Sequence, residues 1–331
     1  MTSTYIMDFL KNKWVVPKDT RPSFKGRTVI VTGANVGLGY WAALKFVQFG
    51  ATKVILACRT ISKGEDAKRR IDAQTKRPET TEVWQLDMSN YESIKAFANR
   101  ANTHLESLDI ACLNAGMMSM SFKRTDAGYE ETMQVNVLST TYLALLLIPK
   151  MRASKTASFT PVLEIVGSSN ADIVSKLVSD TEPFAAYNKP ENFSSAGQYS
   201  TSKLFVNYVE QALVPLVANK ETGKPDVFVT VVCPGACKSE LARNATAWYF
   251  VIFKAIFSLI QRSSEEGSRT YISGVDQGEK LHGGFWKDDT IRPPAPLQQG
   301  EKGKKLQKIV WREVTDALIK DVPEVKQLAA L

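Results

Sequence analysis

Residues 28–39, TVIVTGANVGLG, run from a β-branched stretch into a glycine-rich turn, and residues 38–49 then place apolar side chains at spacings of three and four. A strand, a tight turn and an amphipathic helix in that order open a βαβ unit. Gly33 suits the tight turn, Gly37 leaves room for the backbone to approach a pyrophosphate, and Gly39 permits close packing of helix on strand. Amides at the helix start, around Asn35, Val36 and Leu38, add positive potential. Glycine patterns match often by chance, but the strand-turn-helix context makes a dinucleotide site the expectation here.

Outward from that turn the same rhythm repeats. Strands are predicted at 28–32, 53–57, 82–86, 109–113, 162–166 and 227–232, with a seventh at 283–286. Helices are predicted at 38–49, 62–74, 90–104, 128–151 and 196–219. Such alternation is the sequence sign of an α/β fold whose parallel sheet is covered on both faces. The expected division is an N-terminal extension over 1–25, one catalytic domain over 26–286 and a C-terminal extension over 287–331. The last of these carries a loop-like opening and one helix at 303–320 that reads as peripheral. Residues 170–198 and 236–264 break the rhythm, and both follow strand C-termini, where open α/β sheets bind ligands.

Bulk properties narrow the function classes. The chain has 331 residues, 44% of them hydrophobic, enough for one large core. Its formal charge is +8, yet lysines and arginines are scattered rather than blocked, which argues against a nucleic-acid partner and for anionic small ligands. Cys58, Cys112, Cys233 and Cys237 form no CxxC pair, and only His104 and His282 stand beside them, so free thiols and no metal are expected. The N-terminus lacks a signal-peptide pattern, and the apolar run 245–260 is broken by Lys254, short of the roughly 20 residues that span a bilayer. A cytoplasmic location is the expectation.

Arg59 stands at the end of the second strand, where a cofactor with a free ribose 2′-hydroxyl would favour an acid. A planar cation suits a 2′-phosphate, so NADP is favoured over NAD. Asp87, after the third strand, is placed either to hydrogen-bond an adenine or to cap the next helix.

Taken in order, TGANVGLG (32–39), LNAG (113–116), Asn136, Ser169 and YSTSK (199–203) resemble the short-chain dehydrogenase/reductase family. ACR (57–59), QVN (134–136), CPG (233–235) and SSEEG (263–267) resemble its retinol dehydrogenase-like branch, fungal biosynthetic members especially. The resemblance implies a Rossmann-type doubly wound parallel sheet of about seven strands. It implies Tyr199 as proton donor or acceptor, Ser169 (with Ser168 as fallback) as the group that steadies the substrate oxygen, and Asn136 as the holder of a proton-relay water. Asn114, Ala115 and Gly116 would support the cofactor pocket, with Leu113 in place of the family's usual asparagine. Pro234, Gly235 and Ser239 would contact the nicotinamide carboxamide. Cys233, before that proline, is given no catalytic role.

Spacing explains part of this. Residues four apart lie on one helix face, so Lys203 reaches both Tyr199 and a cofactor ribose. A tyrosine titrates near 10 unperturbed, and a nearby ammonium favours its phenolate. The family's substrate lid falls at 236–264, and its aromatic-rich part suggests a small hydrophobic carbonyl or alcohol substrate. Packing, a homo-oligomer contact, or adsorption of 245–260 to an intracellular membrane are the other readings of that run. The expected activity is NADP(H)-dependent interconversion of a hydroxyl and a carbonyl, in secondary-metabolite biosynthesis. The alternatives are a non-redox step or cofactor-binding regulation on the same fold.

Overall fold

The computed structural model describes residues 14–238 and 261–330. β1 (Thr28–Thr32), β2 (Lys53–Cys58), β3 (Thr81–Gln85), β4 (Ile110–Leu113), β5 (Val162–Val166) and β6 (Phe228–Val232) alternate with α1 (Gly37–Gln48), α2 (Ile61–Thr75), α3 (Tyr91–His104), α4 (Glu131–Ala153) and α5 (Ser195–Leu216). After β6 come α6 (Ser264–Gln277), β7 (Phe285–Lys287), β8 (Thr290–Arg292) and α7 (Gly300–Asp321). One sheet takes the order β3-β2-β1-β4-β5-β6-β7-β8, parallel except for β8, which pairs antiparallel with β7. The sheet therefore has eight strands, not about seven. The last was hidden by its brevity, three residues tucked behind Asp288 and Asp289, which both hold positive φ.

Strand order reverses between β1 and β4, whose neighbouring C-terminal ends define the crevice where such sheets bind ligands. Central strands are β-branched and dry, with Val29, Ile30, Val31, Val54, Ile55, Ala111 and Val229 at 0% exposure, as expected for a sheet covered on both faces. One face packs on α1, α2 and α6, the other on α3, α4, α5 and α7. α4 is long and apolar enough to cross a membrane by composition, but 83% of its apolar stretch is buried inside the protein.

Three sequence expectations shift. The 14–25 stretch is not wholly an extension, since Phe24 is buried against Phe46 and its N–H donates to the Phe49 carbonyl at 2.8 Å. The sheet runs past 286 into β8. The C-terminal helix is not peripheral: Leu306, Val310, Val314 and Leu318 form a period-four stripe, each at most 2% exposed, seated in the core against α5. Its densely charged outer face masked that stripe. Polar ties reinforce the seat, with Tyr208 donating to the Leu297 carbonyl at 2.7 Å and the Phe184 N–H donating to Glu313 Oε2 at 2.8 Å.

Two consequences are measurable. Leu318→Ala should destabilise the fold by about 2–5 kcal/mol in denaturant melts, the cost of emptying a fully packed core site, whereas a peripheral helix would lose far less. Glu210, buried on α5 with no partner for Oε1, has its carboxyl pushed up to about 8 by desolvation. Its folded form prefers the proton, so its contribution is complete below the ordinary glutamate value and is lost as pH rises through about 8. Glu210→Gln should remove a stability decline of up to about 1.4 kcal/mol per pH unit across that window; an unchanged pH slope would show that Glu210 does not titrate there.

Candidate active site

The turn after β1 is built as its glycines require. Gly33 has φ +67 and Gly37 φ +58, conformations that L side chains rarely adopt. A Cβ on Gly37 would meet nothing within 4 Å, so the turn presents bare backbone to open space. A Cβ on Gly39 would stand 2.5 Å from both the Gly33 carbonyl and Asn114 Nδ2, so this glycine lets the turn close on itself as well as on β4. α1 begins at Gly37 behind an extended Val36 that offers no side-chain cap, leaving first-turn amides available to an anion. Below the turn, the buried Cys58 sulfur takes the Ala34 and Asn35 amides, and burial pushes this thiol up to about 11. Arg70 Nη2 holds the Asn35 carbonyl from outside at 3.2 Å, and Leu38 is half-buried near Gly267. These residues fit a dinucleotide's phosphates: a positive, side-chain-free concavity at the topological switch.

Arg59 is exposed at the C-terminal end of β2, on the side where a ribose 2′-substituent would lie. Asp87 closes its own turn, accepting the Ser89 N–H at 2.9 Å and hydroxyl at 2.7 Å on Oδ1, while Asn90 is the residue that caps α3. The helix-capping alternative for Asp87 therefore does not hold.

The turn after β4 is bolted to the glycine loop. Asn114 Nδ2 donates to the Thr32 carbonyl at 2.8 Å, the Ala115 N–H donates to Thr32 Oγ1 at 2.8 Å, and Asn114 Oδ1 accepts the Tyr271 hydroxyl at 2.9 Å. Gly116 then brings the backbone up to the next group: a Cβ there would lie 3.2 Å from Asn136 Oδ1 and 3.6 Å from Lys203 Nζ.

Asn136 sits in a π-turn, Gln134–Ser139, inside α4. Such single-turn bulges re-aim side chains and recur at functional sites. Here the bulge turns Asn136 to accept the Met117 N–H and to donate to the Met117 carbonyl, both at 2.9 Å, and to donate to Ser202 Oγ at 3.0 Å. Ser202 in turn donates to the Tyr199 carbonyl at 2.7 Å. Lys203 Nζ donates to the Val166 carbonyl at 2.8 Å and lies 5.7 Å from the centre of the Tyr199 ring. Desolvation lowers this lysine to about 8. Tyr199 is buried, at 9% exposure.

Ser168 and Ser169 follow β5 directly. Ser168 Oγ accepts the Asn170 N–H at 3.2 Å, whereas Ser169 presents its N–H at 3.3 Å and its Oγ at 3.4 Å to Cys233 Sγ. Cys233, given no catalytic role from the sequence, packs against Ser169 across the adjoining strand ends. Gly235 takes φ +75, and the Pro234 carbonyl accepts Arg262 Nη1 at 3.0 Å and the Cys237 thiol at 3.2 Å. Ser239 and the 239–260 part of the expected lid lie outside the described residues. Its two ends meet: the Lys238 N–H donates to the Arg262 carbonyl, and the Arg262 N–H to the Ala236 carbonyl, both at 2.9 Å.

Two further residues were missed. Tyr271, fully buried on α6, braces Asn114, and Arg262, at 0% exposure, anchors the Pro234 turn against Asp288. A signal was present. Ser263 and Glu266 form a capping box, both halves of which the structure shows, and Tyr271, Ile272 and Val275 follow at helical spacing.

Comparison with known proteins agrees with this geometry. A family model described as short chain dehydrogenase matches residues 27–168. The chain is 39% identical over 316 residues to short-chain dehydrogenase/reductase ffsI of Aspergillus flavipes, covering 94% of this chain and 92% of that one. It is 37% identical over 318 residues to phmF of Phaeosphaeria nodorum, with the same coverage. Among solved structures, an uncharacterized protein of Mycobacterium paratuberculosis superposes with TM-score 0.63 at 23% identity, covering 89% and 94% of the two chains. A short chain dehydrogenase of Shigella flexneri complexed with NADP gives 0.54 at 20%, covering 74% and 89%. The structural likenesses speak for the fold alone. With more than a third of residues identical along nearly its whole length to two fungal members, the chain belongs to the short-chain dehydrogenase/reductase family of oxidoreductases, resembling the family's fungal biosynthetic members.

Proposed function

We propose that this protein uses NADP(H) to interconvert a hydroxyl and a carbonyl on a small apolar substrate, as a step in the biosynthesis of a fungal metabolite. The observation that carries the reading is the convergence of Asn136, Lys203 and the Gly116 backbone within a few ångströms, with Tyr199 one helical turn from Lys203. A bound nicotinamide would supply or accept the hydride.

The protein's own residues manage the proton and the charge. Tyr199 gives a proton to the nascent alkoxide during reduction and takes one during oxidation. Lys203, charged below about pH 8, sets positive potential beside the phenol and stabilises its anion. Asn136 and Ser202 hold the polar floor through which a proton is replaced from solvent. Ser169 donates to the substrate oxygen, and the Cys233 thiol holds it from behind. Arg59 offers a bidentate cation to a 2′-phosphate. Buried Asn114 and Tyr271 keep the floor of the pocket rigid.

The decisive measurement follows NADPH absorbance with a panel of hydrophobic ketones and aldehydes. Tyr199→Phe should lower kcat by about 10²-fold or more, in keeping with loss of a general acid. Ser169→Ala should cost kcat about 10²-fold, as removal of one charge-stabilising donor does, while Ser168→Ala stays within about ten-fold because its oxygen is already used by Asn170. The reverse ranking of the two serines moves the role to Ser168. Full activity of Tyr199→Phe, or substrate conversion without nicotinamide turnover, overturns the redox reading. Separately, Arg59→Ala should raise KM for NADPH about ten-fold or more and leave KM for NADH little changed, since only the former loses a charge-assisted contact; equal effects on both cofactors would remove Arg59 from cofactor choice.

A further inference from the structure

Glu130 and Gln198 form a buried joint between the two helices that carry the site. Glu130 caps α4, its Oε2 accepting the Met133 N–H at 3.0 Å. Gln198, the residue before Tyr199 on α5, donates from Nε2 to that same Oε2 at 2.8 Å and to the Tyr187 carbonyl at 2.8 Å. Both side chains are at 0% exposure. The remaining oxygen of each, Glu130 Oε1 and Gln198 Oε1, completes no hydrogen bond of good geometry, the Thr132 amide and hydroxyl standing near the carboxyl without closing one.

With an ionised carboxylate both of these atoms are acceptors, and two buried acceptors left unsatisfied on one interacting pair is a costly arrangement. A proton on Glu130 Oε1 changes one of them into a donor. A carboxylic acid and a primary amide already joined by one N–H···O bond have the shape to close a second bond, O–H···O, in a ring. One proton then satisfies both orphaned oxygens.

We propose that Glu130 is held protonated and pairs with Gln198 at two points, fixing α4 against α5 and so placing Asn136 relative to Tyr199 and Lys203. Glu130 is a positioning residue: it acts through the helices and touches no reacting atom. Its surroundings favour the neutral form. Burial raises its carboxyl above the ordinary value, against the lowering effect of the Thr132 and Met133 amides, the Gln198 side-chain amide and the Thr132 hydroxyl. The charged neighbours are engaged elsewhere. Arg124, across an isolated bridge, donates to the Asn188 carbonyl at 3.1 Å, and Glu131 accepts the Ser119 hydroxyl at 3.2 Å. From the 187–188 turn come only the Tyr187 carbonyl and Asn188, whose Oδ1 accepts the Glu130 N–H at 2.8 Å. α5 presents the neutral amide of Gln198.

The activity arm of the test rests on the redox reading; the spectroscopic arm does not. In a parent-minus-Glu130→Gln infrared difference spectrum at about pH 7.5, where an ordinary glutamate is fully ionised, the expected signal is a protonated-carboxyl C=O stretch that shifts in D2O. A difference made only of carboxylate bands overturns the proposal, whether or not the protein turns over any substrate. In NADPH-coupled assays Glu130→Gln should keep kcat within about three-fold, because an amide–amide pair closes the same ring, while Glu130→Ala should lose about ten-fold or more in kcat with little change in KM for NADPH. Parent kcat should also fall as pH rises through the folded Glu130 value, a limb that Glu130→Gln lacks. A Glu130→Gln enzyme as impaired as Glu130→Ala, or one that retains the limb, overturns it too.

Discussion

Lys203 Nζ is 5% exposed and donates a hydrogen bond to the Val166 carbonyl at the end of β5. Burying an ammonium is expensive, and the protein offsets part of that cost with the strand-end carbonyl of Val166. The rest of the site follows from keeping this amine nearly dry but still positive. Desolvation brings it down to about 8, still above neutrality, so its charge persists while its field on the neighbouring phenol is barely screened by water. An exposed lysine four residues from Tyr199 would have the same spacing and little of this leverage.

Fold and site share their joints. The sheet reverses between β1 and β4, and Asn114 spans that point, tied to Thr32 on one strand end and to Tyr271 on α6. α6 packs closely because Gly274 admits it: a Cβ there would stand 2.8 Å from Glu164 Oε1. Glu164, in register with Cys112 on one side and Thr230 on the other, is wholly buried, and desolvation pushes its carboxyl far above the usual range. Glu164 is therefore neutral and adds no competing charge to the one on Lys203.

Much of this was legible before any coordinates. TGANVGLG carries strand, turn and helix in eight residues, and each glycine's role can be argued from sterics, so β1 and α1 were placed within a residue. Asn136 could be named but not its setting, because a π-turn has no sequence signature at the level of periodicity. Non-local partners were out of reach in the same way: Cys233 against Ser169, Tyr271 on Asn114 and Arg262 under Pro234 join residues separated by 28 to 157 positions. α6 and α7 are different. Their capping box and their period-four stripe were present, but the first was read only as a family motif and the second was obscured by surrounding lysines.

The paired bonds between 236–238 and Arg262 have a further meaning for how such a protein changes over generations. The stretch they bracket leaves and re-enters the fold at one point, held by a guanidinium buried beneath the Pro234 turn. For flexible chain held between two fixed ends, doubling the length costs only about 0.6 kcal/mol in closure entropy. A change of length beyond the clasp therefore costs little at the clasp itself, and the bonds that hold Asn136, Ser202 and Lys203 lie on elements before it.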